Sequence, residues 1–317
     1  MLEVLSPAFV TTIQDGGRRG YQRYGVPLSG SMDWFAHRAA NRLVGNLPKA
    51  ACLELGMSAA QLRLKSDALV AITGAGYRLL VNGKVLPIWT ALWLHRGAHI
   101  EFSKVPGGTW AYLAIAGGFQ EPQILGSCSA YLRAGIGRQL QPGDMLSVSE
   151  TAANKRGLAG RSLPEDERPA YGVELELMAI PGPHIDCFSQ SGLESFWNEA
   201  YKLTSKADRM GFRLQGVPLN HSNGADIISQ GMVSGTVQVP ADGQPIVMMP
   251  DHPTSGGYTQ VAVLATADLP RLVQCEPGIG RLRFRRVDVE EAQEVYRKAL
   301  ASLEAALLED REDWMLL

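Results

Sequence analysis

LVAITGAGYRLLVNGKVLPIW, residues 69–89, is the stretch on which the reading of the fold turns. Two apolar runs, LVAIT at 69–73 and YRLLV at 77–81, each have strand length. TGAGY between them opens like a dinucleotide-binding turn. Leu79, however, stands where the third glycine of that fingerprint belongs, and a hairpin signal follows instead of a helix. That signal is Asn82-Gly83 between two apolar runs, the pair best suited to a two-residue turn with positive φ at both positions. The stretch therefore reads as antiparallel β structure.

Working outward, further strand-like runs appear at HIEF (99–102), WAYLAIA (110–116) and residues 2–5, with LQPGDMLSV (140–148) as a turn into a last strand of the first half. Ser31 to Val44 reads as a helix with Ser31 or Asp33 as its cap, Phe35, Ala39 and Leu43 on one face, and Gly45 just past its end. Residues 151–172 are polar and weakly patterned, a linker or a long excursion. VELELMAI (173–180) alternates as a half-exposed strand should. A short helix is expected over 190–200, with strands at 233–239, 245–249, 258–265 and 281–285. Asp288 and Glu291 form a capping signature for a terminal helix whose apolar positions run from Val289 to Leu307.

The chain has 317 residues, 45% of them hydrophobic, with a formal charge of −2 and 34 glycines spread among short apolar runs. That suffices for packed cores and fits a turn-rich β protein. Near-neutral charge gives no reason to expect nucleic acid or an anionic membrane as partner. The opening residues lack the form of a secretory signal, no run is long enough for an apolar membrane-spanning helix, and Cys52, Cys128, Cys187 and Cys275 form no CxxC pair. Reduced thiols and a cytoplasmic location are expected, and no metal site is expected.

Three segments could carry chemistry. Gln14 to Asp33 sets Asp15, Arg18, Arg19, Arg23, Ser29 and Asp33 among glycines such as Gly30. Glycines allow backbone N–H groups to converge on an anion, and arginines grip carboxylate or phosphate. The same residues could equally be a cluster of turns, with Asp33 only a helix cap. In SKADRMGFRLQG (205–216), Arg209 and Arg213 flank a glycine turn, or sit on a strand edge paired with acids such as Asp208. In QVPADGQPIVMMPDHPTSGGY (238–258), Gln238, Gln244, Asp251, Thr254, Gly256, Gly257 and Tyr258 lie in a loop stiffened by prolines. His252 there is a possible base, although a lone loop histidine is more often a solvated surface group.

Taken in order, TTIQDGGRRGYQRYGVPLSGSMD, ANRLVGN, ACLEL, YLAIAGGF, GSCS, PGP, DRMGFRLQG, QVPADGQPIVMM and TSGGY resemble the KipA family, also described as the 5-oxoprolinase C subunit or allophanate hydrolase subunit 2. They also resemble the carboxyltransferase region of urea carboxylases. The likeness covers nearly all of residues 1–286.

It implies a mainly β chain of tandem cyclophilin-like β-barrel subdomains with a few short helices and a C-terminal helix. The divisions would be 1–150 and 173–286 for the barrels, 151–172 between them, and 287–317 for the helix. As partners it implies a KipI-like B subunit together with an A subunit of 5-oxoprolinase. The implied reaction is ATP-driven conversion of 5-oxo-L-proline to L-glutamate, with Mg–ATP used by the complex. Two alternatives come with it. One is a biotin-dependent carboxyltransferase component, its biotin carried elsewhere because no Met-Lys-Met segment occurs here. The other is a regulator that binds a KipI-like partner.

Carried onto this chain, the resemblance makes Asp15, Arg18, Asp33, Arg209, Arg213 and Asp251 the catalytic candidates. Gln14, Ser29, Gly30, Gln238, Gln244, Thr254, Gly256, Gly257 and Tyr258 are the candidates for substrate binding. The arginines would clamp anionic oxygens, the aspartates would position groups or move protons, and Ser29, Thr254 and Tyr258 would donate hydrogen bonds. The chain departs from the family pattern at Ser31, at Pro253, and in a shorter AGIGRQL loop (134–140).

Overall fold

Asn82 and Gly83 both take positive φ, +51° and +80°, and close a two-residue hairpin between β6 (Tyr77–Val81) and β7 (Lys84–Leu86). Asn82 Oδ1 also accepts from the His99 amide at 2.9 Å, tying the turn to β9 (His99–Lys104). The computed structural model describes residues 1–149 and 155–306. Its chain divides into two compact units, one of residues 1–18, 29–170 and 301–317, the other of 19–28 and 171–300.

The first unit has two antiparallel sheets. One runs β11 (Met145–Leu146), β1 (Leu2–Ser6), β4 (Ala60–Leu64), β9, β6, β7. The other runs β2 (Val10–Gln14), β3 (Cys52–Gly56), β10 (Trp110–Ile115), β5 (Ala68–Gly74), β8 (Thr90–Leu94). Their facing side chains, among them Leu62, Leu79, Phe102, Leu53, Ile72 and Leu113, make one core. The second sheet is covered on its other face by α1 (Trp34–Leu43), with Thr73 Oγ1 donating to Ala36 O at 2.7 Å. Burial on both faces explains why β5 and β10 read as unbroken apolar runs.

The polar stretch expected as a linker or excursion returns to this unit. Leu163 is fully buried, and residues 160–163 bond to Trp89 and Ala91 along β8. Residues 150–154 of that stretch lie outside the described residues.

In the second unit, β12 (Glu174–Pro181), β19 (Arg281–Arg286), β13 (Tyr201–Ala207), β14 (Gly211–Gln215), β17 (Ile246–Met248), β16 (Thr236–Val239) and β18 (Ser255–Leu264) follow in order. A β12–β18 pairing closes the ring into a barrel. β15 (Asp226–Gly231) adds to the free half of β18. α2 (Gln190–Asn198) stacks Phe196 on Phe284 with ring centroids 4.7 Å apart. A short helix not foreseen from sequence, α3 (Leu269–Gln274), buries Leu272 and Val273. The terminal helix α4 (Val289–Ala306) is capped by Asp288 Oδ1, which accepts from Glu291 N, and packs Ala292 on Met178, Ala265 and Val287. Its expected continuation from Leu307 lies outside the described residues. The mainly β architecture with a β barrel, few helices and a C-terminal helix is thus the one observed.

Candidate functional site

In the first unit the Gln14–Asp33 segment is organised by Asp15. Its Oδ1 accepts from the Ser127 and Ser129 hydroxyls, both at 2.6 Å, and from Gly17 N at 2.9 Å. Its Oδ2 accepts from Cys128 N at 2.9 Å and from the thiol at 3.3 Å. Burial raises the carboxyl pKa, but these hydrogen bonds outweigh it and hold Asp15 below the ordinary carboxylate range. An ionised carboxylate with this many donors positions the 127–129 turn and makes a poor proton acceptor. Burial, and then Asp15, push the Cys128 thiol up to about 12, so it serves as a donor and not as a nucleophile.

Arg18 is fully buried and spends its donors on backbone. Nε reaches Ile124 O at 2.9 Å, and Nη2 reaches Ser129 O at 2.8 Å and Ser127 O at 3.3 Å. Nη1 has no partner among the described residues. Gln14 donates through Nε2 to Thr12 Oγ1 and Ala130 O, while its Oε1 is likewise buried and unpartnered among the described residues. The structure therefore gathers Gln14, Asp15 and Arg18 around residues 124–130.

Gly30 packs on the same turn. A Cβ there would lie 3.2 Å from Asp15 O and from Gly17, and its φ is +88°. Ser29 is also left-handed, at +53°, and its buried hydroxyl has no partner among the described residues.

The loop carrying them is pinned from below. Glu54 Oε2 accepts from Met32 N and from Tyr112 Oη, each at 2.8 Å, and Tyr112 Oη accepts from Asp33 N at 2.7 Å. Cross-strand register explains the meeting: Thr12, Glu54, Tyr112 and Thr73 oppose one another across β2, β3, β10 and β5, on the face turned to α1. Asp33 Oδ1 caps α1 by accepting from Ala36 N. Tyr112, Ser127 and Ser129 were missed as functional candidates. The sequence signals were the glutamate inside the apolar run ACLEL and the motifs YLAIAGGF and GSCS, which contain these three residues.

In the second unit Arg209 and Asp251 are paired in two prongs, and both are largely buried. His252 is buried, contrary to the expectation of a solvated group. Its Nδ1 meets Pro253 O at 2.6 Å, and burial lowers its pKa. Gln238 Nε2 lies over Gly256, where a Cβ would sit 2.4 Å away, and reaches Tyr258 O at 3.4 Å. Tyr258 itself is 42% exposed. Thr254 takes part through its carbonyl, which accepts from Met232 N, and Gly257 lies near Ile227 O and Ser229. Gln244 is engaged elsewhere, with its amide holding both backbone groups of Gly216. Arg213 is exposed on β14.

Two β units, one of them a closed barrel, with polar, glycine-bent turns define a class of mainly β protein. The chain belongs to the carboxyltransferase domain family, subdomains A and B, whose pattern it matches over residues 24–286. It is 35% identical to the 5-oxoprolinase C subunit of Escherichia coli (strain K12), over 92% of this chain and 93% of that protein. It is 32% identical to the protein of the same name from Haemophilus influenzae, over 94% and 95%. Among solved structures it resembles the Kluyveromyces lactis urea carboxylase at 29% identity and TM-score 0.89, covering 99% of this chain and 30% of that one.

Among the described residues no group of three or more His, Cys, Asp or Glu side chains could hold a metal ion, and no helix is long and apolar enough to cross a membrane.

Proposed function

We propose that this chain is the C subunit of an ATP-dependent 5-oxoprolinase, which works with a KipI-like B subunit plus an A subunit to convert 5-oxo-L-proline to L-glutamate. The observation that carries this reading is the end-to-end likeness to proteins of that name, over 93% and 95% of their lengths. Among the described residues no group of three or more His, Cys, Asp or Glu side chains could hold the Mg of Mg–ATP, so no step is routed through nucleotide on this chain. Its own residues bind and orient. Arg213 offers charge to anionic oxygens, Gln238 and Tyr258 offer hydrogen bonds, and the Arg209–Asp251 pair fixes the turn beside them.

A second reading is a biotin-dependent carboxyltransferase component. It is favoured by the TM-score of 0.89 to the urea carboxylase over 99% of this chain. The same donors would then face the ureido oxygen of a biotin carried by another chain.

The experiment is reconstitution with the companion proteins. ADP release that depends on 5-oxoproline, and is lost when this chain is omitted, is the expected result. Turnover that is indifferent to this chain, or stopped by avidin, would overturn the first reading.

A further inference from the structure

Strand register in the second barrel aligns four residues from four neighbouring strands. Arg213 on β14 opposes Ile246 on β17, Ile246 opposes Gln238 on β16, and Gln238 opposes Gln260 on β18. Directly opposed residues share a face of the sheet. The adjacent row, Phe212, Val247, Val237 and Ala262, is buried in the barrel, so this row lies on the outer face. With strands about 4.8 Å apart, the row spans roughly 14 Å between the backbones of Arg213 and Gln260.

The two ends of the row are chemically unfinished. Gln260 is 4% exposed, yet its Nε2 has no hydrogen-bond partner among the described residues. A buried amide donor left unpaired is costly, and native proteins retain few of them. Arg213 is exposed, with no ion-pair or hydrogen-bond partner among the described residues. Between them Gln238 makes one long bond, 3.4 Å to Tyr258 O. Ile246 forms a half-buried apolar floor. Gly211 keeps it uncovered, since a Cβ there would sit 3.1 Å from Ile246 Cγ2.

We infer that Arg213, Gln238 and Gln260 form one recognition row for a small molecule bearing a carboxylate at one end and an amide carbonyl at the other. Arg213 takes the carboxylate. Gln260 Nε2 donates to the carbonyl oxygen, with Gln238 beside it. Ile246 meets the methylenes between. The choice of 5-oxo-L-proline as probe rests on the function proposed above; the site itself does not.

The test is calorimetric titration of the full chain, alone and assembled with its companions. The ligands are 5-oxo-L-proline, 2-pyrrolidinone (which lacks the carboxylate) and L-proline (which lacks the carbonyl). Arg213→Ala should weaken 5-oxo-L-proline binding by roughly tenfold or more and leave 2-pyrrolidinone unchanged. Gln260→Leu should weaken 5-oxo-L-proline by roughly tenfold, leave L-proline unchanged, and keep or raise thermal stability, because it removes an unpaired buried donor. A purely structural glutamine would give the opposite pattern, with lost stability and intact binding. Absence of binding to the wild-type chain in both settings, or unchanged affinity in both variants, overturns the inference. Binding as expected without ATP-coupled turnover would leave this site standing and remove the proposed function.

Discussion

Arg209 and Asp251 face each other in a two-pronged ion pair, Nε to Oδ2 at 2.8 Å and Nη2 to Oδ1 at 3.1 Å, with the side chains 12% and 8% exposed. The Asp251 amide also donates to Arg209 O at 2.8 Å, so two turns distant in the chain are fastened through both side chain and backbone. The pair is thus a brace beside the candidate site, and neither member is free for a ligand without losing the other.

Breaking the pair strands a buried charge. Arg209→Ala and Asp251→Asn should each cost about 3 kcal/mol or more, whereas replacing both with apolar residues of similar volume should recover much of the loss. Urea unfolding of the singles and the double, read as a mutant cycle, measures this. Additive losses would mean the two residues do not act as a pair.

Asp15 should make stability fall in acid. Its folded pKa is depressed, because its hydrogen bonds outweigh the opposing effect of burial. The stabilisation is therefore fully present above the unfolded value of about 3.9 and is lost as pH falls through the lower folded value. At pH 7 Asp15→Asn should cost about 2 kcal/mol from weakened charge-assisted hydrogen bonds. The gap between wild type and variant in urea midpoint should narrow below pH 4.

His37 acts in a higher window. Burial, first, lowers its pKa to about 4, against a hydrogen bond to Ala50 O that raises it. The folded state therefore binds fewer protons than the unfolded state between about pH 6.5 and 4, and stability declines as pH falls through that range, by up to about 3 kcal/mol. His37→Gln should flatten that part of the curve, whatever it costs at pH 7. An unchanged slope would show that another group sets it.

Tyr112→Phe should be felt at the start of α1. It removes the donor to Glu54 and the acceptor for Asp33 N, both buried, at a cost of about 1–3 kcal/mol. Amide exchange at Met32 and Asp33 should accelerate more than exchange in β10, which a general loss of packing would not produce.

Much of the local structure was legible. The Asn82-Gly83 hairpin, the Asp33 cap and the Asp288 cap follow from turn and cap chemistry acting within four residues, and each is present as expected. The strands β2, β3, β4, β8 and β13 were not expected, and neither were α3 and β15. α3 has six residues, too few to show a period, and β15 (DIISQG) is largely exposed and so lacks alternation. Residues 160–162 look polar because backbone pairing of Gly160 and Arg161 to Ala91 needs no apolar side chain. Asp15 and Arg18 stood out by residue type. Their roles rest on Ser127, Ser129 and Ile124, more than a hundred residues away.

Chain order and residue chemistry were enough to establish short antiparallel strands, their turns and the motifs of the family, because those depend on contacts between near neighbours. The face on which Gln260 lies was settled only by assembly of the barrel. Strict alternation along β18 would put Gln260 on the side of Ala262, which lines the interior. The register shifts between Val237 and Gln238, so Ala262 opposes Val237 while Gln260 opposes Gln238. A single extra residue in one strand reverses every side chain beyond it, and the pairing that fixes such a shift is a property of two strands together.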